Sequence, residues 1–254
     1  MKTEKIVLSA IGALMISSGA ALAQPAIWES DFGTDLSGVT GEDDSSEMVT
    51  LSFDFSYGGN VYNDIYMGSN GSVGLGGEGE ADDYPSGDEF IDTSAAMIAP
   101  FWSDMSLDSE GTAYFNDFGD RAVFTWDSIG TYEDEDSSNT FQLQVFADGK
   151  IIFGYNGIED VNDSYFDVDV HIGLTEGNLD DFPDDEVDYS AGAFSTGVSV
   201  LEIFGYDDDD FDLDGTNIIF TPDGNGGYNV TVPTPSAMTL LALGGLTATR
   251  RRRS

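Results

Sequence analysis

Apolar and polar residues alternate through short segments of this chain, which is the pattern of β-strands with one buried side and one solvent-facing side. Residues 49–57 alternate without a break, and their apolar face consists of Val49, Leu51, Phe53, Phe55 and Tyr57. Other segments with strand character are residues 97–102, 112–115, 121–126, 168–174, 198–204, 217–221 and 228–232. Between the two ends of the chain, no segment shows a convincing helical period.

Two tight turns connect further strands. Residues 141–145 and 151–155 flank Asp148-Gly149, a dipeptide that tolerates the positive φ of a hairpin turn. A second hairpin is predicted over residues 64–75, where Asn70-Gly71 stands at the turn. Because strands and turns follow one another at regular spacing, the sequence predicts an all-β chain with a single β-sandwich-like domain of about ten short antiparallel strands.

This domain is expected to span residues 24–231, with a core of large apolar side chains from the strands. The residues predicted to lie in that core are Trp102, Trp126, Phe141, Leu143, Phe153 and Tyr155. Acidic segments fall between the strands and are expected to be solvated loops: residues 76–89, 133–136, 180–186 and 207–214.

The N-terminal segment has the three regions of a secretory signal peptide. Lys2 and Lys5 precede an apolar run over residues 6–16, and Ala21-Leu22-Ala23 supplies the small residues of a cleavage site. A membrane anchor is the alternative, but it needs about 20 apolar residues. We therefore expect residues 1–23 to be removed by cleavage after Ala23.

The C-terminal segment, residues 232–254, joins a Pro-rich break to a short apolar stretch and a basic cluster. Its defining residues are Val232, Pro233, Pro235, Arg250, Arg251, Arg252 and Arg253. A helix over residues 237–249 would reach about 20 Å, which is short of the hydrocarbon core of a bilayer. The four arginines resist translocation, so the end of this segment is expected to stay on the cytoplasmic side.

This tail resembles the bacterial PEP-CTERM sorting signal, also catalogued as the ice-binding protein C-terminal domain. The resemblance covers residues 232–253, with Thr234 where the family has a glutamate. It implies recognition by an exosortase-type processing enzyme, and it implies nothing about binding to ice.

The charge of the chain is strongly one-sided, with 48 Asp and Glu against 8 Lys and Arg and a formal net charge of -40. Without the two terminal segments, 8 − 6 = 2 basic residues remain, Arg121 and Lys150, against 48 − 1 = 47 acidic residues. Such a body repels phosphate, so nucleic acid and bare anionic membrane are excluded as expected partners. It needs salt or bound cations to offset its self-repulsion. Arg121 is expected to form a structural ion pair among Asp117, Asp120 and Asp127.

Residues 98–104, 111–115, 121–126 and 139–155 together resemble the NIDO domain, the extracellular module of nidogen and of several adhesive surface proteins. The strings concerned are IAPFWSD, GTAYF, RAVFTW and NTFQLQVF followed by DG and FGY. The strongest match covers residues 98–158. This resemblance implies an extracellular, non-enzymatic role in adhesion or matrix association.

A calcium site is the sharpest metal hypothesis. Asp208, Asp210, Asp212 and Asp214, followed by Gly215, place alternate carboxylates as in the first half of a D-x-D-x-D-G loop. The twelfth position counted from Asp210 is Thr221 and a strand follows, which argues against an EF-hand. A looser calcium site at a strand end and simple solvation of a charged loop both remain open.

Catalytic chemistry has little support in the sequence. There is no cysteine, and the single histidine, His171, shares a strand face with two aspartates, where a surface position is expected. Glycoside hydrolysis requires two carboxylates at a set separation, and no motif selects a pair among the many present. Tyr84, Tyr132, Tyr165 or Tyr189 could form an aromatic platform for sugars if they were exposed.

The sequence therefore predicts an exported cell-surface or extracellular-matrix protein with a non-catalytic adhesion role. Its expected partners are extracellular polysaccharide or surface proteins, and its contact with membrane is expected only through the C-terminal segment. A secreted polysaccharide-binding or polysaccharide-hydrolysing protein is the alternative, and a structural envelope component without a specific ligand is a third interpretation.

Overall fold

The computed structural model describes residues 27–81, 83–85, 89–107, 111–132, 134–159, 169–179, 186–205 and 211–233. The predicted signal peptide and the predicted C-terminal helix lie outside these residues. Within the described part, no helix is long and apolar enough to cross a bilayer.

Two antiparallel sheets form a sandwich. The first sheet has nine strands in the order β1-β7-β8-β9-β10-β14-β15-β12, with β6 paired to β8 outside this path. These strands are β1 (Thr34–Asp35), β6 (Met105–Ser106), β7 (Thr112–Asp117), β8 (Arg121–Thr131), β9 (Asp134–Phe146), β10 (Ile151–Tyr155), β12 (Phe194–Thr196), β14 (Asn217–Pro222) and β15 (Tyr228–Thr231).

The second sheet has six strands in the order β13-β11-β5-β4-β3-β2. They are β2 (Ser46–Tyr57), β3 (Asn60–Gly68), β4 (Val73–Leu75), β5 (Ala96–Trp102), β11 (Val170–Thr175) and β13 (Val200–Phe204). A one-turn helix, α1 (Glu89–Asp92), precedes β5, and a 3₁₀ turn (Tyr189–Ala191) precedes β12. The predicted all-β sandwich is therefore confirmed.

The core between the sheets is aromatic, and five of the six predicted core residues lie in it, fully buried. The sixth, Trp102, is also buried, but it packs with Phe90 in a separate cluster on the other side of β5. Trp126 of β8 stacks on Phe141 of β9, with ring centroids 4.9 Å apart. Phe101 of the opposite sheet packs against Phe141 at 5.1 Å. Alternate residues of β8, β9 and β10 point into this space, and a register shift in the pairing of β5 with β11 places Phe101 on the same side of β5 as Ile98.

Buried polar groups also join the two sheets. The Trp126 indole Nε1 donates to the Gly68 carbonyl at 2.9 Å, and the Tyr155 hydroxyl donates to the Pro100 carbonyl at 2.8 Å. The predicted turn at Asn70-Gly71 is present between β3 and β4. Asn70 is buried and its Oδ1 accepts from Met105 N, while Gly71 has a φ of 83°. A Cβ on Gly71 would lie 1.9 Å from the Phe101 carbonyl oxygen, so only glycine fits.

One predicted loop is a strand in the structure. Residues 134–136 were expected to be a solvated acidic connection, but they open β9, whose pairing with β8 continues to Thr131↔Asp134. The pairing of β8 with β9 shifts register twice between Trp126 and Thr131 and then continues. In this part, Thr131 N donates to the Ser137 hydroxyl at 2.9 Å. Acidic composition favours a loop, but pairing with a neighbouring strand overrides this weak preference.

Two buried tyrosines provide a matched test of the polar links. Tyr155→Phe leaves the Pro100 carbonyl without its donor, so it should lower the free energy of unfolding by about 1–3 kcal/mol. The Tyr189 hydroxyl is buried with no hydrogen-bond partner among the described residues, so Tyr189→Phe should be neutral or stabilising. Urea denaturation of both variants measures the difference, and equal losses would contradict this assignment.

Candidate functional site: an acidic cleft beside strand β13

A cleft of about 400 Å³ opens at the free edge of the six-stranded sheet, where residues 186–190 run beside β13. Val187 N donates to the Leu201 carbonyl at 3.0 Å and fixes this segment against the strand. Among the described residues, the cleft is lined by four carboxylates, Glu186, Asp188, Glu202 and Asp212, together with Val187, Ser190, Ile203 and Phe204.

Main-chain N–H groups orient three of these carboxylates. Glu186 Oε1 accepts from Ile203 N at 2.9 Å, and Glu202 Oε2 accepts from Tyr189 N at 3.0 Å. Asp188 caps the 3₁₀ turn, and its Oδ1 accepts from Ala191 N at 3.0 Å. Hydrogen bonds of this kind hold a carboxylate in place without neutralising its charge.

Glu202 differs from the other three carboxylates because its side chain is buried, although it lies on an edge strand. Loss of water around the carboxyl raises its pKa to about 7, and the charges of Asp188, Asp212 and Glu186 add to this increase. The Tyr189 N–H opposes the shift. Near neutral pH this group therefore holds a proton for part of the time.

The two basic residues of the expected exported body lie elsewhere. The Arg121 guanidinium pairs with Glu29, and the Lys150 ammonium lies 3.7 Å from the centre of the Phe146 ring. No basic residue lines the cleft within the described part of the chain. The cleft can accordingly accept a proton or loosely held cations, and it repels anions.

The predicted calcium ligands are only partly described. Asp208 and Asp210 lie outside the described residues, whereas Asp212 lines the cleft. The Asp214 carboxylate accepts from Gly157 N at 2.9 Å and Ile158 N at 3.2 Å, so it braces the segment after β10. Among the described residues, no three Asp, Glu or His side chains are grouped to hold a metal ion. The calcium site stays a prediction.

His171 is buried, so the expectation of a surface histidine was wrong. Its ring lies 5.6 Å from the Trp102 ring and 6.3 Å from the Phe90 ring. Burial lowers its pKa to about 4. Phe90 of helix α1 covers His171 on the outer face of the six-stranded sheet. The sequence did not indicate this cover, because a helix of one turn is too short to show a helical period.

The sequence also misassigned an aromatic residue and an ion-pair partner. Tyr189 is fully buried and cannot serve as a sugar platform, Tyr84 and Tyr132 are partly exposed, and Tyr165 lies outside the described residues. Arg121 does form an ion pair, but with Glu29 rather than with its neighbours in sequence.

The importance of Glu202 was missed. It stands at a polar position of a predicted strand, which normally indicates exposure, and its crowding by Glu186 and Asp188 arises only from the fold.

Glu202 should make stability depend on pH. Its folded pKa, about 7, is above the ordinary 4.5, so folding opposes its ionisation. The contribution of Glu202 to stability is therefore full below about pH 4.5 and is lost as the pH rises through about 7.

Glu202→Gln keeps an acceptor for Tyr189 N, and it should make the protein more stable than the wild type above pH 7 but not at pH 4.5. Denaturation midpoints at the two pH values, measured in a chelator, test this expectation. Asp120→Asn removes one exposed carboxylate as a control. An equal gain from both substitutions would contradict the assignment to Glu202.

Comparison with known proteins identifies the family but offers no structural template. The family model described as NIDO related matches residues 23–222, which include fourteen of the fifteen described strands. No solved structure matches the chain. Since the match covers well over half of the sequence, this chain belongs to the NIDO-related family.

Proposed function

We propose that this chain is an exported cell-surface or extracellular-matrix protein whose role is adhesion by binding, without catalysis. Membership of the NIDO-related family supports an extracellular location. The residues ahead of the matched domain support export through a signal peptide cleaved after Ala23. The tail with Pro233, Pro235 and four terminal arginines supports sorting by an exosortase-type enzyme.

The acidic cleft beside β13 is the observation that carries the binding proposal. Four carboxylates line one opening, no basic residue lines it within the described part of the chain, and main-chain bonds fix the orientation of three. Divalent cations prefer oxygen ligands, and extracellular modules bind calcium as weakly as about 10⁻⁴–10⁻³ M. Such cations would bridge this surface to acidic polysaccharide or to acidic surface proteins.

Weak contacts of this kind suit adhesion because many copies act together on a cell surface. Linked weak sites gain avidity when several engage at once, without any new contact. The rigid sandwich presents the cleft in one geometry, since β13 is paired to β11 and the segment beside it is bonded to β13.

The state of the single histidine supports a non-catalytic role. A Ser-His-Asp arrangement could use only His171, which is packed against Phe90 and Trp102 and has a pKa of about 4. A buried imidazole of this kind is a poor general base near neutral pH. The excess of carboxylates also opposes nucleic acid as a partner.

Retention on an acidic polysaccharide gel such as alginate tests the proposal. Full-length protein should be retained with calcium and released by a chelator. The variant Glu186→Gln/Asp188→Asn/Asp212→Asn should lose most of this retention, because the negative charges that attract the bridging cations to the cleft are gone. The control variant Asp35→Asn/Asp120→Asn/Glu159→Gln removes the same number of exposed charges elsewhere.

The two variants have the same net charge, so a difference between them reports the cleft itself. Equal retention of both would contradict the cleft as the binding site. Release of reducing ends from the polysaccharide, abolished by a single carboxylate substitution, would contradict the non-catalytic role and favour a polysaccharide hydrolase.

A further inference from the structure

An extended N-terminal segment crosses the outer face of the nine-stranded sheet. We call residues 27–32 the N-terminal strap. They run over β14, β10, β9 and β8 towards β7 and are followed by Gly33, which has a φ of 84°. The strap makes no regular strand pairing, so its attachment depends on side chains of the sheet beneath it.

Two amide side chains bind the main chain of the strap. Ile27 N donates to Asn217 Oδ1 at 2.9 Å, and Asn217 Nδ2 donates back to the Ile27 carbonyl at 2.9 Å. Glu29 N donates to Gln142 Oε1 at 3.1 Å, and Gln142 Nε2 donates to the Glu29 carbonyl at 2.7 Å. Each amide therefore makes a pair of bonds to the N–H and carbonyl of one residue.

Gly154 lies between these two amides, since it pairs with Gln142 on one side and with Asn217 on the other. A Cβ at Gly154 would lie 3.5 Å from Trp28 Cε3 and 2.9 Å from Asn217 Nδ2. The missing side chain thus opens a shallow trough, and the Trp28 ring lies over it. Gln142, Gly154 and Asn217 form what we call the docking row.

The far end of the strap is held by charge and by one more amide. Arg121 pairs with Glu29 and is steadied by Gln144 Oε1 at 3.0 Å. Asn116 Nδ2 donates to the Asp31 carbonyl at 2.8 Å. Gln142, Gln144 and Asn217 are at most 1% exposed, although they point away from the core. Buried amides left without partners are costly, so this face requires a covering segment.

We propose that the docking row of one copy accepts the N-terminal strap of a second copy, so that two molecules exchange straps reciprocally. The bonds made in the exchanged dimer are the same as those within one molecule, which makes the exchange nearly neutral in contact energy. Gly33, with its positive φ, supplies a pivot between the strap and β1. Cleavage after Ala23 would leave three residues ahead of Ile27, so no long segment has to be threaded.

A second copy fits this site better than an unrelated peptide. The amide pairs recognise any extended main chain, but the other contacts depend on side chains: Glu29 reaches Arg121, Trp28 covers Gly154, and Phe32 packs on Tyr114 at 5.5 Å. Another copy supplies all three side chains in the correct order. Neighbouring copies on a crowded surface would also supply them at high local concentration.

Charge sets the conditions for exchange. Two exported bodies with a formal charge of about -45 each repel one another. The Arg121–Glu29 ion pair is present both before and after exchange, so it does not change the free energy of exchange. Salt should consequently promote the dimer by screening repulsion between the bodies.

Cross-linking between copies that carry single introduced cysteines tests the proposal. The chain has no native cysteine, so only the introduced positions can react. Full-length Asp31→Cys protein is mixed with Asn116→Cys protein and treated with a short bis-maleimide. Asp31 is exposed at the end of the strap and Asn116 is partly exposed on β7, so folding should be preserved. The Asn116 substitution removes one hydrogen bond to the strap, and this loss is the same in the closed and the exchanged form. A covalent heterodimer should form, increase with protein concentration and salt, and exceed several-fold the yield obtained with Val61→Cys, an exposed position on the other sheet.

Equal yields with Asn116→Cys and Val61→Cys at every concentration would overturn the proposal. The double variant Asp31→Cys/Asn116→Cys, cross-linked within one molecule, should remain monomeric by sedimentation, and dimerisation of this locked form would also overturn it. A synthetic peptide with the sequence of residues 24–33 should suppress the heterodimer several-fold. Equal suppression by a scrambled peptide would overturn the choice of a second copy as the occupant.

Discussion

The packing of one aromatic layer between two sheets is the interaction on which the rest of this structure depends. The formal charge of the expected exported body, about -45, destabilises any compact state through self-repulsion. Burial of large rings such as Trp126, Phe141 and Phe101 opposes this repulsion, and each fully buried ring contributes on the order of 2 kcal/mol. The polar links from Trp126 and Tyr155 fix the two sheets against each other without placing a charge between them.

Because the core between the sheets holds apolar rings, the carboxylates lie at turns and sheet edges. Some of them accept hydrogen bonds there from main-chain N–H groups. At one edge of the six-stranded sheet, Asp117 accepts from Ser52 N of β2 at 2.6 Å, and at the other edge Glu186 accepts from Ile203 N of β13. A carboxylate that occupies an edge N–H prevents another strand from pairing there. At β13, burial of the Glu202 carboxyl raises its pKa, the neighbouring carboxylates add to this increase, and the same arrangement becomes a candidate binding surface.

The sequence predicted what depends on regular alternation and local turn chemistry. The long strands, the Asn70-Gly71 and Asp148-Gly149 turns and the buried rings of Trp126, Phe141, Phe153 and Tyr155 follow from side-chain period and positive φ, and the structure confirms them. Trp102 is buried as well, but on the opposite face of β5, beside Phe90. Strands β1, β6 and β12 have two or three residues, too few to show a period.

Features that arise from contacts between distant segments were missed. Phe90, which belongs to a one-turn helix, covers His171 with its ring. The N-terminal strap covers Gln142, although the alternation of apolar and polar residues predicts that this side of the strand faces solvent. The crowding at Glu202 depends on residues 186–188 folding back onto β13. None of these contacts has a local signal, because each partner alone is an ordinary polar or apolar residue.

The central claim is that this NIDO-related domain works outside the cell and is retained there by its terminal segment. Fractionation of cells that produce the full-length chain, compared with cells that produce residues 1–231, tests this claim most directly. The account predicts that the full-length protein lies in the cell envelope without residues 1–23, and that the truncated protein passes into the medium. Intact, folded full-length protein in the cytoplasm, or the same distribution for both chains, would contradict it.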